Sequence, residues 1–443
     1  MPNIGGGYKG AGLEFLSSHG LSIGDSVLFT TKDGELAGVI MPRYESASDQ
    51  YIVIKLKSGY NVGIRIPKIM SVTKLPRKVE ANPSPTGSRI RENNNLPRIA
   101  LISTGGTIAS KVDYRTGGVH AALSAAELYE SVPELATHVS VDAEVLLSEY
   151  SENLKPSHWT MISNRIAEMV KTGKYTGILV SHGTDTLHYT AAALSFALQN
   201  LPIPVVLVGA QRSSDRPSSD AALNLLAAVI FAAKAQAAGV FVAMHAGMSD
   251  DIIAIHVGTR VRKNHTSRRD AFESIDVTPV AQVKNGEIEM NESEIKLHPR
   301  STSTDDLQVK ADFDDRVMLL KFYPGFDSRI IEHVTRAGYK AIILEGTGLG
   351  HINKDCFPAL RKAIEAGIVI YMTSQCIWGR VRMTVYDTGR DLLGIGVIPL
   401  SDMISETGTV KAMWALANAD AKSMKEVMQT NIANEMSSSI PIS

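Results

Sequence analysis

At 443 residues the chain carries a prior of about three domains of ~150 residues, and its 44% apolar content is ample for buried cores. Lys plus Arg number 45 and Asp plus Glu 46, which excludes the broad basic field by which a protein grips nucleic acid unaided. The two cysteines, Cys356 and Cys376, exclude a disulfide framework and a four-ligand zinc site, and they fit a reducing compartment.

Met1 to Lys9 holds no apolar signal core, which argues against secretion. Residues 1 to 20 are Gly-rich and polar, a loose lead-in. From Leu21 to Val72 apolar alternation recurs between close turn signals, as in Ser26 to Thr30, Gly38 to Pro42, Tyr51 to Leu56 and Val62 to Ile66. Short strands at this spacing predict a small β-barrel, a separate module over residues 1–75. Residues 76–97 hold Pro76, Pro83, Pro85, Gly87 and Pro97 and predict a linker.

Beyond the linker, strand and helix signals alternate. Ile99 to Ile102 is a short apolar strand that runs into Ser103-Thr104-Gly105-Gly106-Thr107-Ile108-Ala109. Pro156 to Lys171 is amphipathic, and the apolar run Tyr175 to Val180 leads into Ser181-His182-Gly183-Thr184-Asp185-Thr186 and a helix from Leu187 to Gln199. Pro204 to Val208 is a buried-type strand, and Ser219 to Ala237 is a helix for Ser218 or Ser219 to cap. The apolar run from Leu225 to Met244 is broken by Lys234, Gln236 and Gly239, which fits an Ala-rich helix turning into a strand better than a membrane span.

The stretch Ser301 to Asp314 is polar and acidic, and alternation then resumes. Strands are expected over Val317 to Phe322, Ala341 to Glu345 and Ile368 to Met372, with helices over Ile330 to Gly338, Cys356 to Ala366, Glu406 to Ala417 and Ala421 to Ala433. A polar tail from Ser437 is expected to fray. The fold class is therefore α/β: the N-terminal β-barrel, a larger α/β domain over 98–300 and a smaller one over 315–436, with mostly parallel sheets covered on both faces.

Two strand ends with clustered Gly and Thr, about eighty residues apart, point to one site built from two loops at a sheet edge. Each residue type also has an ordinary use. Ser, Thr and Asp cap helices, Thr107 taken alone is a loop hydroxyl, Tyr114 a packed surface ring, and Thr259 to His265 a solvated basic run. His182 has no second ligand four residues on and is expected to be a structural hydrogen-bonder, so no metal site is predicted. Gly105-Gly106 lacks the Gly-x-x-x-x-Gly-Lys spacing of a phosphate loop, and no ATP site is expected on this chain.

Thr104-Gly105-Gly106-Thr107-Ile108-Ala109 together with His182-Gly183-Thr184-Asp185-Thr186 resembles the motif pair of the asparaginase and glutaminase family. Tyr114 in Asp113-Tyr114-Arg115, Ser151-Glu152-Asn153-Leu154 before Trp159, Val208-Gly209-Ala210-Gln211-Arg212, and Arg262-Lys263-Asn264 beyond Asp250-Asp251 fall where that family has its supporting pieces. The resemblance spans roughly residues 97 to 435 and implies an asparaginase-like two-part body.

An amide carbonyl is a poor electrophile and a threonine hydroxyl a poor nucleophile at neutral pH, so both a base and an oxyanion clamp are required. The resemblance implies Thr107 as nucleophile, Tyr114 beside it to share its proton, and Thr184, Asp185 and Lys263 as a second relay that prepares a hydroxyl or a water. A basic Lys263 must lose its proton, which burial favours and the Asp185 carboxylate opposes. Backbone N–H groups at Gly106 and around Ala210 are oxyanion candidates. Ser151 and Glu152, with Gly183 and Asp185, are implied to grip the substrate's α-amino and α-carboxylate groups. Glu152 stands where many secreted asparaginases have Gln, and an acid there attracts the ammonium but repels the carboxylate.

A barrel ahead of the enzyme body is similar to the amide-hydrolysing subunit of tRNA-dependent amidotransferases, as are Glu345 to His351 and Thr373-Ser374-Gln375-Cys376. That resemblance implies glutamine or asparagine as nitrogen source and a partner subunit that binds Glu-tRNA(Gln) and uses ATP with Mg. It also implies a homodimer within a heterotetramer, a cytoplasmic location, and neither cofactor nor membrane for this chain. Two alternatives stay open: a free-standing cytoplasmic asparaginase with a regulatory barrel, and a catalytically dead protein whose barrel and basic segment 259–269 dock RNA or protein.

Overall fold

The computed structural model describes residues 7–32, 34–41, 48–56, 61–75, 96–106, 110–112, 119–121, 132, 134–212, 219–292, 295–419 and 423–437. Most of the expected linker, residues 76–95, lies outside this set.

The N-terminal module is a sheet of five antiparallel strands in the order Asn61–Arg65, Tyr51–Leu56, Gly34–Ile40, Ser26–Thr31 and Ile69–Lys74. Period-two alternation buries Val27 and Phe29 from one strand against Ile40, Ile52, Ile54 and Ile64 from the others. The expected loose lead-in is in fact ordered, since Gly10–Ser18 is a helix whose Leu16 enters this core. Tyr8 fixes its start: the phenol donates to the Met41 carbonyl at 3.0 Å and accepts the Val53 N–H at 2.9 Å. A Cβ at Gly12 would sit 3.0 Å from the Tyr8 ring and 3.1 Å from the Asp49 carbonyl, so glycine is what allows this helix to lie so close. Packing outweighs the poor helix propensity of Gly10-Ala11-Gly12.

The larger unit is a mixed sheet. Ser140–Val145, Arg98–Ser103, Gly177–Ser181, Pro204–Val208 and Ala237–His245 run parallel in that spatial order. The expected parallel arrangement stops there, because Ile252–Val257, Ala281–Lys284 and Glu287–Met290 continue the sheet as an antiparallel meander. Asn285 and Gly286, at φ of 51° and 81°, form the two-residue turn that joins the last pair. Two left-handed residues are what a tight hairpin needs, and Asn-Gly is the dipeptide that supplies them.

Helix Ala221–Lys234 covers one face of the sheet, with Ala228 and Phe231 fully buried. Pro156–Lys171 and Leu187–Ala197 cover the other, burying Ile162, Ile166, Ala191 and Leu194. Within this sheet, the next strand in sequence after Arg98–Ser103, Ser140–Val145, lies on one side of it and the one after that, Gly177–Ser181, on the other. The chain thus changes direction between the ends of Arg98–Ser103 and Gly177–Ser181, and open α/β sheets form their ligand crevice at such a point.

The smaller unit has four parallel strands, Val317–Lys321, Ala341–Gly346, Val369–Ser374 and Ile398–Pro399. Arg329–Arg336, Phe357–Glu365 and Asp387–Ile395 pack on one face. Ser405–Asn418 packs on the other and carries Trp414 onto Phe196 of Leu187–Ala197, with ring centroids 5.8 Å apart. The two units therefore share a core.

Of the expected helix Ala421 to Ala433, residues 421–422 lie outside the described residues; the described helix, Met424–Gln429, ends early, where buried Lys411 draws the Met428 and Thr430 carbonyls to its ammonium at 3.2 and 2.6 Å. Ser437, expected to fray, is tied to Asp402 by its backbone N–H at 3.1 Å. Among the described residues no helix is long and apolar enough to cross a membrane.

Candidate active site

Three loops meet at the switch point. The Thr104 hydroxyl and N–H both donate to the Ser181 carbonyl, at 2.9 and 3.1 Å, locking the first loop to the second. The His182 N–H donates to the Val208 carbonyl at 3.0 Å, locking the second to the third. Gly105 and Gly106 have φ of 115° and 85°, a region that favours glycine. A Cβ on Gly106 would lie 2.6 Å from the Gly183 nitrogen, and one on Gly105 2.2 Å from the Glu149 carbonyl oxygen. The first loop thus presses its backbone onto the second at the residue before Thr107. Thr107 itself and Tyr114 lie outside the described residues.

The structure brings Thr184, Asp185 and Lys263 together. Lys263 ends the short strand Val261–Lys263, and its Nζ donates to Thr184 Oγ1 at 2.9 Å and to Asp185 Oδ1 at 2.7 Å. The lysine side chain is only 8% exposed, whereas that of Asp185 is 67% exposed. The amine is therefore enclosed while the carboxylate faces the cleft. Gly209 closes behind them, since a Cβ there would meet the Thr184 methyl at 2.8 Å.

Ser151 and Glu152 open a single helical turn, Ser151–Asn153, beside the second loop. The Thr186 hydroxyl donates to the Ser151 carbonyl at 2.6 Å, and the bare Gly183 backbone lets Ser151 pack against it. Ser151 is buried and Glu152 exposed. Ala210 is buried on the third loop, one residue past Gly209.

His182 is held as a hydrogen-bonder. Its Nδ1 donates to the Gly183 carbonyl at 2.7 Å, so Nε2 accepts from the Thr190 hydroxyl at 2.8 Å, which in turn accepts the Trp159 indole N–H at 3.1 Å. Burial pushes this imidazole down to about 4, and it stays neutral. His188, the second residue of the helix Leu187–Ala197, is pushed down to about 3 by burial and then by the Arg262 and Lys263 cations.

Nothing in the residue pattern flagged the support of the third loop. The buried Asp220 carboxylate accepts the backbone N–H of Gln211 at 3.0 Å and of Arg212 at 2.9 Å, so it braces this loop instead of capping its own helix. Ser219, one of the two expected caps, accepts only the Ala221 N–H at 3.2 Å, and Ser218 lies outside the described residues. Asn224 donates to the Gly209 carbonyl at 3.0 Å and accepts from His245 Nδ1 at 2.6 Å. Burial holds the His245 pKa below its usual value.

The basic run is enclosed at Arg260 and Lys263 and exposed from His265 to Arg268. Arg260, Arg262, Lys263, Arg268 and Arg269 each meet a carboxylate: Asp402, Glu406, Asp185, Asp270 and Asp250 respectively. Among the described residues no cluster of His, Cys, Asp and Glu has the makings of a metal site.

Residues 98–296 match the family described as Asparaginase, N-terminal, residues 316–429 the Glutaminase/Asparaginase C-terminal domain, and residues 21–75 the GatD N-terminal domain. The chain is 46% identical to the glutamyl-tRNA(Gln) amidotransferase D subunit of Pyrococcus abyssi, over 96% of this chain and 97% of that one. It is 44% identical to the protein of the same name from Methanopyrus kandleri, over 97% and 94%. Among solved structures, the thermostable L-asparaginase of Thermococcus kodakarensis superposes with a TM-score of 0.69 at 32% identity, covering 77% of this chain and all of that one. L-asparaginase I of Vibrio cholerae gives 0.66 at 26% identity, covering 77% and 99%. The chain belongs to the family of glutamyl-tRNA(Gln) amidotransferase D subunits, built on an asparaginase-type body with a barrel-like module in front.

Proposed function

We propose that this chain is the amidase subunit of a tRNA-dependent amidotransferase, releasing ammonia from glutamine or asparagine for conversion of Glu-tRNA(Gln) to Gln-tRNA(Gln) by a partner subunit. The observation that carries the chemistry is the Thr184–Lys263–Asp185 constellation, set at the sheet's switch point against the loop that leads into Thr107. In this reading the Thr107 hydroxyl attacks the side-chain carboxamide, its proton passes to Tyr114, and the C–N bond breaks as the nitrogen leaves protonated as ammonia. Water then attacks the acyl-enzyme, its proton passing through Thr184 to Lys263, and as the acyl C–O bond breaks the Thr107 oxygen takes that proton back, freeing the acid and regenerating the hydroxyl. Relay in that direction starts from the amine form of Lys263, and the Asp185 carboxylate at 2.7 Å steadies the ammonium that results.

Gly106 and the Ala210 loop supply backbone donors for the oxyanion, each worth about 3 kcal/mol. Asp185, exposed to the cleft, receives the substrate's α-ammonium, with Ser151, Glu152 and Gly183 lining the same end. ATP and Mg are used by the partner, the E subunit, which also holds most of the tRNA. The chain works in the cytoplasm as a homodimer within a heterotetramer and carries no cofactor.

The paired state of every cation in 259–269 weighs against RNA docking by that segment, because phosphates would have to displace carboxylates already in place. The test is nitrogen release and Glu-tRNA(Gln) amidation by the native complex beside the chain alone. Amidation that needs this chain whenever an amide is the nitrogen source supports the proposal. Asparagine hydrolysis by the chain alone at the full rate, with no tRNA product from the complex, favours the free-standing asparaginase.

A further inference from the structure

Lys263 reaches the cleft from a strand of three residues whose neighbour in the sheet, Phe272–Ser274, is equally short. So small a ladder does not fix a flexible four-carbon side chain on two acceptors. The residues before it are gripped from elsewhere. We infer that Arg260 is a positioning residue for Lys263, and that the segment 431–437 is an active-site strap that holds Arg260 in place. The inference rests on the functional reading above and adds to it the means by which the smaller unit sets the relay.

Arg260 is 1% exposed, and its fork is spent on the strap and on the loop before Ser405–Asn418. Nε donates to the Asn434 carbonyl at 2.9 Å, and one terminal nitrogen to the Asp402 carbonyl at 3.2 Å. The other terminal nitrogen donates to the Asp402 carboxylate at 3.0 Å and to the Ser437 hydroxyl at 2.7 Å. A buried guanidinium is tolerated only with its donors matched in this way, and the planar fork then admits little movement. The residue on each side of this stretch is held as well. Thr259 donates to the Ala433 carbonyl at 2.8 Å and accepts from the Thr407 hydroxyl at 2.8 Å, while Arg262 Nε donates to Glu406 at 2.7 Å.

The strap has its own anchor. Glu435, fully buried, accepts the N–H groups of Ile432 at 3.0 Å and Ala433 at 2.6 Å and pairs with the equally buried Lys411. The strap lies beyond position 429, where the match to the asparaginase C-terminal domain ends, while Lys411 lies within it. The chain of contacts runs from Lys411 through Glu435 and Asn434 to Arg260, and three residues later to the amine that touches Thr184 and Asp185.

Steady-state amide hydrolysis by the native complex carrying Arg260→Lys tests this. Lysine keeps the charge but cannot reach the four acceptors of the guanidinium fork. Displacement of a catalytic amine by ~1 Å costs about 100-fold in rate, so kcat should fall by that order, with KM little changed and the pH dependence of kcat altered. Wild-type kcat and pH dependence in the variant overturn the positioning role, even where its melting temperature drops. Wild-type complex measured alongside keeps the two claims apart: no ammonia from any amide there sinks the functional reading, and only a fully active variant sinks this one. Should Arg260→Lys fail to fold, Thr407→Val decides, since it deletes one bond to the Thr259 carbonyl in a near-isosteric side chain. A several-fold lower kcat in that folded variant supports the role, and an unchanged kcat overturns it.

Discussion

Lys263 touches both polar groups of the relay, so its replacement is the sharpest local change. Lys263→Met keeps the length of the side chain and removes the amine that bonds Thr184 and Asp185. Proton transfer by a positioned group contributes about 100- to 10,000-fold, and kcat for amide hydrolysis should fall within that range while circular dichroism stays native. A folded variant with wild-type kcat would remove Lys263 from the mechanism. The buried histidines make a second prediction. His182 and His256, pushed by burial from 6.5 to about 4, bind protons less readily folded than unfolded. Their contribution to stability is complete above about 6.5 and is lost as pH falls toward about 4, each at no more than ~1.4 kcal/mol per pH unit. Melting temperature should drop across that window, and His256→Gln, remote from the cleft, should flatten the drop; an unchanged slope would contradict it. At this scale the sequence shows the participants but not their support. Thr184, Asp185 and Lys263 are legible only through the resemblance to the asparaginase motifs, since taken alone Thr and Asp at a helix start read as caps and Lys263 as part of a solvated basic run. The brace formed by Asp220, Asn224 and His245 is invisible there, since it joins residues from separate elements through a carboxylate that looks like a helix cap.

The helix Ala221–Lys234 and its preceding loop show how an element serves the site. Asp220 accepts two N–H groups of the third loop, those of Gln211 and Arg212. Asp220→Ala should cost about 1–3 kcal/mol, the sum of two lost hydrogen bonds at roughly 0.5–1.5 kcal/mol each, and should lower kcat through the Ala210 loop. A denaturant melt reads the first effect and steady-state kinetics the second; stability within ~0.5 kcal/mol of wild type would show the brace to be idle. The buried strands, the amphipathic helix Pro156–Lys171 and the Ala-rich helix are legible because uniform burial or a 3.6-residue period writes itself into the pattern. Three elements were less so. The lead-in helix depends on a tyrosine that bonds strands distant in sequence, the helix past residue 423 is cut short by a lysine from another helix, and the meander depends on Asn285-Gly286. Only the last had a local signal.

The whole molecule divides where its cores divide. The N-terminal module's apolar cluster draws on residues 8 to 72 alone, whereas the two parts of the body share Trp159, Phe196, Tyr371 and Trp414. A chain beginning at residue 96 should therefore keep one cooperative thermal transition and lose a separate one present in the full protein; a body that fails to fold without its barrel would contradict this. The presence of a barrel-like antiparallel module ahead of an α/β body is legible because the pattern changes from period-two alternation to strand-helix repeats. The sharing of one core by the two parts of the body is not, since it depends on which faces of Leu187–Ala197 and Ser405–Asn418 meet. The central claim is that one hydroxyl at the first loop frees nitrogen from an amide and that the partner consumes it. Glutamine- and asparagine-dependent amidation of Glu-tRNA(Gln) by the complex carrying Thr107→Ala, assayed with and without added ammonium, tests that most directly. With Thr107 as nucleophile, neither amide should yield product and added ammonium should restore it; undiminished amide-dependent product would remove Thr107 from the chemistry.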